Sequence, residues 1–498
     1  MSESRVTYSF GPLERRGILG PVRAGQAGLI AGGGLAAILA LNAAPSATGA
    51  LVATTAVVVA CALAFAPLGG RTLQEWFPVV LAFGGRRLGA RGRSASAAAT
   101  AGALARSAGP GAMRRADPPA VAPGSLGDVR IVAAGDGDPP IGALSERGGR
   151  RLTAVLACRV GAFSLLDRDA QERRLARWGL VLSGAAGTAI RRIQWIERTA
   201  PAQGDELARW VHDERDPEVP LRGTPMIDSY LELISSCAQV SQEHEILVAV
   251  QVDARRVRER GAGAVTRALV EQTERVAQGL EAAEVRVLGA LGARQLARAL
   301  RTAFDPSARA ELAALEAADP AREGLSEVNA WPLGVRESWD HYQSDGALHV
   351  TYWIGGWPRV DVSPMFMDAL LGPSGAVRTV AVTFEPLAAD RSTREVEAAI
   401  TRDQADRELR SRFGQSETAR QRQAADAAIR REAELAAGHA EVRLSGFVTV
   451  SGRDPDDLRR ACTEVLEHAA RARLELHRLY GQQADAFTFT LPLCRGLR

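Results

Sequence analysis

The chain has 498 residues, of which 46% are hydrophobic and 24% are charged, and its formal net charge is +3. A chain of this length can form more than one hydrophobic core, and its balanced charge gives no general attraction to nucleic acid. The sequence contains no lysine, which excludes a P-loop lysine and a Schiff-base lysine. Its five cysteines are widely spaced and form no C-x-x-C pair, which favours a reducing, cytosolic setting over a disulfide framework or a zinc site.

The N-terminal part contains an uncharged segment between Arg23 and Arg71, interrupted near Pro45. Residues 24–41 and 48–65 each approach the ~20 apolar residues that a helix needs to cross a bilayer. The pattern therefore predicts a two-helix transmembrane hairpin. Arginines flank the pair on both sides and the connecting loop carries no charge, so the positive-inside rule predicts an inner-membrane location with both termini cytoplasmic.

Three glycines on the first predicted span, Gly25, Gly28 and Gly32, are candidates for close helix packing. They could join the two helices of the hairpin, or they could contact the spans of other subunits. The sequence leaves both readings open.

The segment behind the second span combines an apolar stripe with a basic end, formed by Leu73, Trp76, Phe77, Val80, Leu81, Arg86 and Arg87. This pattern predicts an interfacial segment anchored by Trp76, Phe77, Arg86 and Arg87, with a short core helix as the alternative. Because a proline disrupts a helix that runs through it, Pro78 predicts that this helix begins near Phe77.

The predicted membrane segment covers residues 1–93. Residues 94–127 are rich in alanine, serine, glycine and proline, and this composition predicts a flexible linker. Beyond the linker, strand-like runs alternate with amphipathic stretches. We expect an α/β (α+β) fold with a cytoplasmic domain of two related α/β-sandwich halves, residues 128–330 and 331–498. A long charged helix is expected over residues 391–437 of the second half.

The first half has predicted strands over 153–160, 190–197, 245–252 and 284–289, and predicted helices over 167–182, 224–239, 264–281 and 293–303. The second half has predicted strands over 348–354, 376–385, 441–450, 474–480 and 486–490, and predicted helices over 363–371 and 454–471. Both series close with strand–helix–strand, which indicates an internal repeat. The adjacent Arg191 and Arg192 are interpreted as a solvated strand edge.

The sequence shows no P-loop, no complete dinucleotide fingerprint and no nucleophile elbow, and its histidines lack the spacing of metal ligands. The densest polar cluster is formed by Ser338, Trp339, Asp340, His341 and Tyr342. Adjacent residues point in different directions, so a catalytic triad within this run is geometrically awkward. We therefore expect a non-enzymatic protein without a cofactor, in which these five residues are structural or contact a partner.

Several strings resemble known families. Two N-terminal strings, Tyr8–Arg16 and Gly20–Gln26, precede the two predicted spans. This arrangement resembles the small PrgI-type inner-membrane subunits of type IV secretion and conjugation systems. Four further strings resemble an actinobacterial membrane-protein family found in secretion or conjugation gene clusters, namely residues 193–199, 338–342, 431–439 and 490–497.

The soluble part is also similar to the N-terminal, non-motor domain of the large type IV secretion ATPases. This resemblance implies a PrgI-like anchor fused to a domain that docks a separate cytoplasmic ATPase beside other membrane subunits, without direct nucleic-acid binding. A competing resemblance is to EccE, the type VII secretion subunit, which also places two N-terminal spans before a cytoplasmic α/β domain. A self-associating membrane tether and a membrane-anchored enzyme of another type remain alternatives.

Overall fold

The computed structural model describes residues 24–68, 71–89, 92–95, 121–135, 137, 139–161, 163–201, 225–226, 229, 232, 242–261, 263–309, 311–312, 325, 329–358, 362–388 and 440–497. Most of the helix predicted over 224–239, the long helix predicted over 391–437 and the middle of the predicted linker lie outside these residues. The described residues form two compact units, residues 24–89 and residues 92–497, which we describe separately.

The N-terminal unit begins with two antiparallel helices, α1 (Ala24–Ala43) and α2 (Ala47–Phe65). Ser46 starts α2 as its N-cap, because its hydroxyl accepts a hydrogen bond from the Gly49 amide at 3.4 Å. Both helices are long and apolar enough to cross a membrane, in agreement with the two predicted spans. Their length and apolar composition support a membrane location.

A short hairpin, β1 (Pro67–Leu68) and β2 (Arg71–Thr72), connects α2 to α3 (Leu73–Leu88). The expectation that this third helix begins near Phe77 is wrong, because α3 starts four residues earlier and contains Pro78. The Thr72 amide donates to the Glu75 carboxylate at 2.9 Å, which stabilises the first turn. Pro78 lies in the second turn, where it lacks the N–H that would bond to the Gln74 carbonyl, and the helix nevertheless continues through it to Leu88.

The second unit is built on one twisted sheet of thirteen strands in the described part of the chain. In chain order the strands are β3 (Arg93–Ala95), β4 (Arg130–Ala134), β5 (Ile141–Glu146), β6 (Arg151–Arg159), β7 (Ile190–Pro201), β8 (Gln242–Asp253), β9 (Arg286–Ala290), β10 (Gly334–Glu337), β11 (Tyr342–Ser344), β12 (Ala347–Gly356), β13 (Val377–Pro386), β14 (Val442–Gly452) and β15 (Glu475–Arg478). Its helices are α4 (Arg168–Gly184), α5 (Ala264–Ala282), α6 (Ala293–Phe304), α7 (Asp368–Leu371), α8 (Pro455–Arg471) and α9 (Gln483–Phe487).

The order of the strands confirms two related halves. The sheet runs β4–β5–β6–β8–β7 and continues as β13–β14–β12–β11–β10–β3, with β9 paired to β6 and β15 paired to β12. Apart from β3, which is added at one edge, each half therefore has the same succession of strands. The strands β7 and β13 pair antiparallel where the halves meet. The register also shifts at equivalent places, between β6 and β9 and between β12 and β15. The arrangement is a pseudo-two-fold repeat within one continuous sheet.

The helices cover both faces of this sheet. Alternate residues of β8 show the division, because Leu247 and Ala249 join one core while Val248 and Val250 join another. Helices α4 and α5, together with α7 and α8, pack on one face. The other face is covered by helices α6 and α9 and by the C-terminal segment 491–494.

Two further details differ from the sequence prediction. The strand predicted over 486–490 is wrong, because these residues end α9 and continue in a 3₁₀ turn. A short apolar run fits a strand or a buried helix equally well, and here Gln483 anchors the helical turn by donating to the Leu479 carbonyl at 2.9 Å. The ends of the predicted linker belong to the folded unit, since β3 pairs with β10 and Leu126 is buried in the core.

Candidate membrane and partner-binding surfaces

The contact between α1 and α2 is made by small residues on one face of each helix. Gly33 faces Ala60 of α2 so closely that a Cβ at Gly33 would collide with the Ala60 side chain. Ala37 and Ala53 are buried in the same interface. Small side chains allow two helix backbones to approach closely, which is the packing that membrane helices favour.

The predicted packing glycines lie elsewhere. Gly28 and Gly32 are exposed, and in the described part of the chain no atom lies within 4 Å of a Cβ built on either residue. Gly25 faces the Gln74 side chain of α3. The prediction that Gly28 and Gly32 pack the hairpin is therefore wrong, because the helical period places Gly33 and Ala37 on the contact face.

A buried polar contact ties the ends of the two helices together. The Gln26 side-chain amide donates to the Ala64 carbonyl at 2.9 Å, and both residues are buried. Ala64 lies in the last turn of α2, where carbonyl oxygens have no partner within the helix. The hydrogen bond pairs the amide with the carbonyl, and each of these polar groups would cost free energy if it were unpaired in apolar surroundings.

The predicted interfacial anchors are distributed over two sides of α3. Phe77 is 67% exposed and Trp76 is half-buried. Arg86 is half-buried and Arg87 is exposed, both in the last turn. A basic last turn suits the negative end of the helix dipole.

The cluster predicted from the sequence forms the tight turn between β10 and β11. The Ser338 amide donates to the His341 carbonyl at 2.9 Å, which closes the turn. The Asp340 carboxylate accepts from His341 Nδ1 at 2.8 Å. Ser338 thus contributes its backbone to the turn, and the arrangement suits a surface loop better than a nucleophile with its base.

The turn is held against the end of β15. The Gly481 amide donates to the Trp339 carbonyl at 2.6 Å, and Arg478 Nε donates to the Asp340 carbonyl at 2.9 Å. The Arg478 guanidinium also lies over the Tyr480 ring, 5.4 Å from its centroid. These contacts fix the turn so that Trp339, which is 36% exposed, stands at its tip.

Tyr342 differs from its neighbours because it is a core residue. Its ring lies 5.3 Å from the Phe487 ring, and burial raises the pKa of its hydroxyl above the usual range. The prediction of a partner contact therefore fails for Tyr342. It remains open for Ser338, Trp339, Asp340 and His341.

A buried polar seam, which was not predicted from the sequence, lies between the two halves. Arg192 is buried rather than solvated, and its Nε donates to Glu385 of β13 at 3.0 Å. The remaining guanidinium nitrogens donate to the carbonyls of Cys494 and Leu497 at 3.1 and 2.9 Å. An Arg-Arg pair in a strand gives no sign of this, because its partners come from distant parts of the chain.

The second arginine of the pair belongs to a different contact. Arg191 Nη1 donates to the Asp253 carboxylate at 2.9 Å, beside Arg151. Burial opposes ionisation of Asp253, but the Arg255 amide and the nearby guanidinium groups outweigh it, so the pKa of Asp253 lies below its usual range. Arg151, Arg191 and Asp253 form a partly buried ion cluster at the ends of their strands.

Comparison with known families finds a match to part of the chain. Residues 240–354 match the EccE family model. The family is described as "Putative type VII ESX secretion system translocon, EccE". The matched segment runs from β8 through α5, β9 and α6 to β12, so it crosses the junction between the halves and includes the turn that carries Trp339. Comparison with curated proteins finds no significant match.

Proposed function

We propose that this protein is a non-enzymatic membrane subunit of a type VII-like secretion translocon. The EccE match over residues 240–354 carries the proposal. The two apolar helices that precede the matched domain support it, because a translocon subunit of this layout must be held in the membrane. Both termini are proposed to be cytoplasmic, on the distribution of arginines around the helices.

The domain is proposed to bind another subunit through the turn of Ser338, Trp339, Asp340 and His341. An aromatic side chain at the tip of a rigid loop exposes apolar area at a small entropic cost, and tryptophan is enriched at the centres of protein interfaces. The turn lies inside the matched segment and is fixed by two hydrogen bonds to its carbonyls, one from the Arg478 side chain at the end of β15 and one from the Gly481 amide.

A type IV-like role is the second candidate, in which the domain docks a separate conjugation or secretion ATPase. The N-terminal resemblance to PrgI-type subunits favours this reading. The two candidates differ in the cargo that the system moves, and this difference can be measured in the host.

The test is a chromosomal deletion scored for two phenotypes, export of type VII substrates and conjugative DNA transfer. We expect export to fail and to recover when the full chain is supplied, while transfer stays at the parental rate. Loss of transfer with intact export would contradict the proposal and support the second candidate. A chain lacking residues 24–65 provides the control for anchoring, and it should not restore export.

A further inference from the structure

Helix α3 presents an apolar face that the N-terminal unit leaves uncovered. Phe77 is 67% exposed and Leu88 is 92% exposed, and Val80 and Leu81 between them are at least half exposed. These four residues follow helical spacing, so their side chains form one stripe along α3. On the opposite side, Val79 is buried.

A basic sequence borders this stripe. From Trp76 to Ala116 the sequence contains no aspartate or glutamate, whereas it contains Arg86, Arg87, Arg91, Arg93, Arg106, Arg114 and Arg115. Arg87 lies in the last turn of α3 and is exposed. The combination of an apolar stripe with a one-sided basic run is typical of helices that lie in a membrane interface.

We propose that α3 is a binding element for anionic phospholipids, with its stripe in the acyl boundary and Arg86 and Arg87 of its last turn on the headgroup phosphates. The occupant is a lipid surface because α3 begins only a few residues after α2, an apolar helix long enough to span a bilayer. A helix of this kind buries its apolar face ~5–10 Å below the headgroups. The inference rests on the membrane anchoring in the proposed function and adds a lipid class to it.

The position of the stripe can be tested with a photoreactive benzoylphenylalanine placed in the full chain in native membranes. At position 81 we expect adducts with lipid, and at position 79, on the buried side of the same helix, we expect none. Position 165 is a second control, because Leu165 is 85% exposed on the folded domain. A protein adduct at position 81, or no adduct there, would overturn the inference.

The lipid class can be tested by native mass spectrometry of the full chain in detergent micelles that contain phosphatidylglycerol or phosphatidylcholine. The wild type should retain phosphatidylglycerol preferentially. The double variant R86Q/R87Q should bind it roughly thirtyfold more weakly, since each arginine near an anionic surface strengthens binding by about fivefold and the two factors multiply. The matched variant R459Q/R460Q, in an adjacent arginine pair on α8, should bind as the wild type does.

Equal retention of both lipids, or equal binding by the two double variants, would overturn the inference. Nucleic acid retained through Arg86 and Arg87 in place of lipid would also overturn it. Carbonate extraction of the same membranes tests whether the chain is anchored in the bilayer, independently of whether α3 binds lipid. A chain that resists extraction but gives no lipid adduct contradicts the lipid inference alone, whereas an extracted chain contradicts the anchoring itself.

Discussion

Arg192 and Glu385 form a buried ion pair across the seam where the two halves of the sheet meet. Their side chains lie on β7 and β13, and Arg192 Nε donates to Glu385 Oε2 at 3.0 Å. Arg192 also binds two carbonyls of the C-terminal segment. One guanidinium group therefore joins both halves and the last residues of the chain.

Removal of one partner of this pair should destabilise the domain strongly. Glu385→Gln leaves the Arg192 charge buried without its counterion, and such a change costs about 3–5 kcal/mol of unfolding free energy. Thermal unfolding of the full chain in detergent measures the loss. The control is Glu284→Gln, which removes an exposed partner of Arg174 and Arg177 and should shift the midpoint little. Equal shifts for the two variants would contradict the role assigned to the seam.

His349 should make the domain sensitive to mild acid. Burial lowers the pKa of this histidine from 6.5 to about 4, and its Nε2 lies 3.0 Å from the Phe304 carbonyl while Nδ1 lies 2.8 Å from Ser451 Oγ. The unfolded chain therefore binds a proton between pH 6.5 and 4 that the folded chain does not bind. Stability should be full above this window and fall as the pH drops through it, by up to ~3 kcal/mol.

Unfolding midpoints measured across this window check the assignment. His349→Gln should be less stable at pH 7 but should lose less on acidification than the wild type. His341→Gln is the matched control, because His341 lies on the surface turn, and it should keep the wild-type slope. A wild-type slope in the His349 variant would show that another group causes the acid sensitivity.

Close packing of α1 against α2 should depend on Gly33 and not on its neighbour. Gly33→Leu places a side chain where Ala60 already lies, so the helices must separate, at a cost of about 1–3 kcal/mol. Gly32→Leu enters open space in the described part of the chain and should leave the hairpin intact. Thermal stability of the two variants in the same detergent separates them. A destabilised Gly32 variant would contradict this packing.

Trp339 and Tyr342 of the 338–342 run should respond differently to replacement by alanine. Trp339→Ala should keep the fold and weaken partner retention roughly thirtyfold, as expected for an interface tryptophan. Tyr342→Ala should reduce stability by about 3–5 kcal/mol, because Tyr342 packs on Phe487 in the core. Circular dichroism with quantitative co-purification distinguishes the two. Unchanged partner retention in the Trp339 variant would remove the turn from the proposed interface.

The sequence predicted most of the architecture because long periodic segments are informative. Both apolar helices, the central strands and the repeat were recognised, and α8 begins within the predicted range, where Asp454 caps it by accepting from the Asp456 and Asp457 amides. The short strands β4, β5, β10 and β11 were missed, since few residues carry their pattern. The strand predicted over 486–490 failed because a short apolar run does not distinguish strand from buried helix.

The candidate surfaces were harder to predict than the fold. Glycine spacing identified a close-packing helix but could not show which glycines face the partner, so Gly33 was overlooked. The run 338–342 was identified as one cluster, whereas the turn geometry exposes Trp339 and buries Tyr342. The contact between Arg192 and Glu385 joins residues 193 positions apart, and no local pattern predicts such a pair.

The central claim is that the chain is a membrane subunit of a type VII-like translocon. The most direct measurement is photo-crosslinking from position 339 of the tagged full chain in native membranes, followed by identification of the crosslinked protein. The account predicts a type VII membrane subunit, with position 165 giving no such product. A conjugation or type IV secretion ATPase crosslinked from position 339 would contradict it.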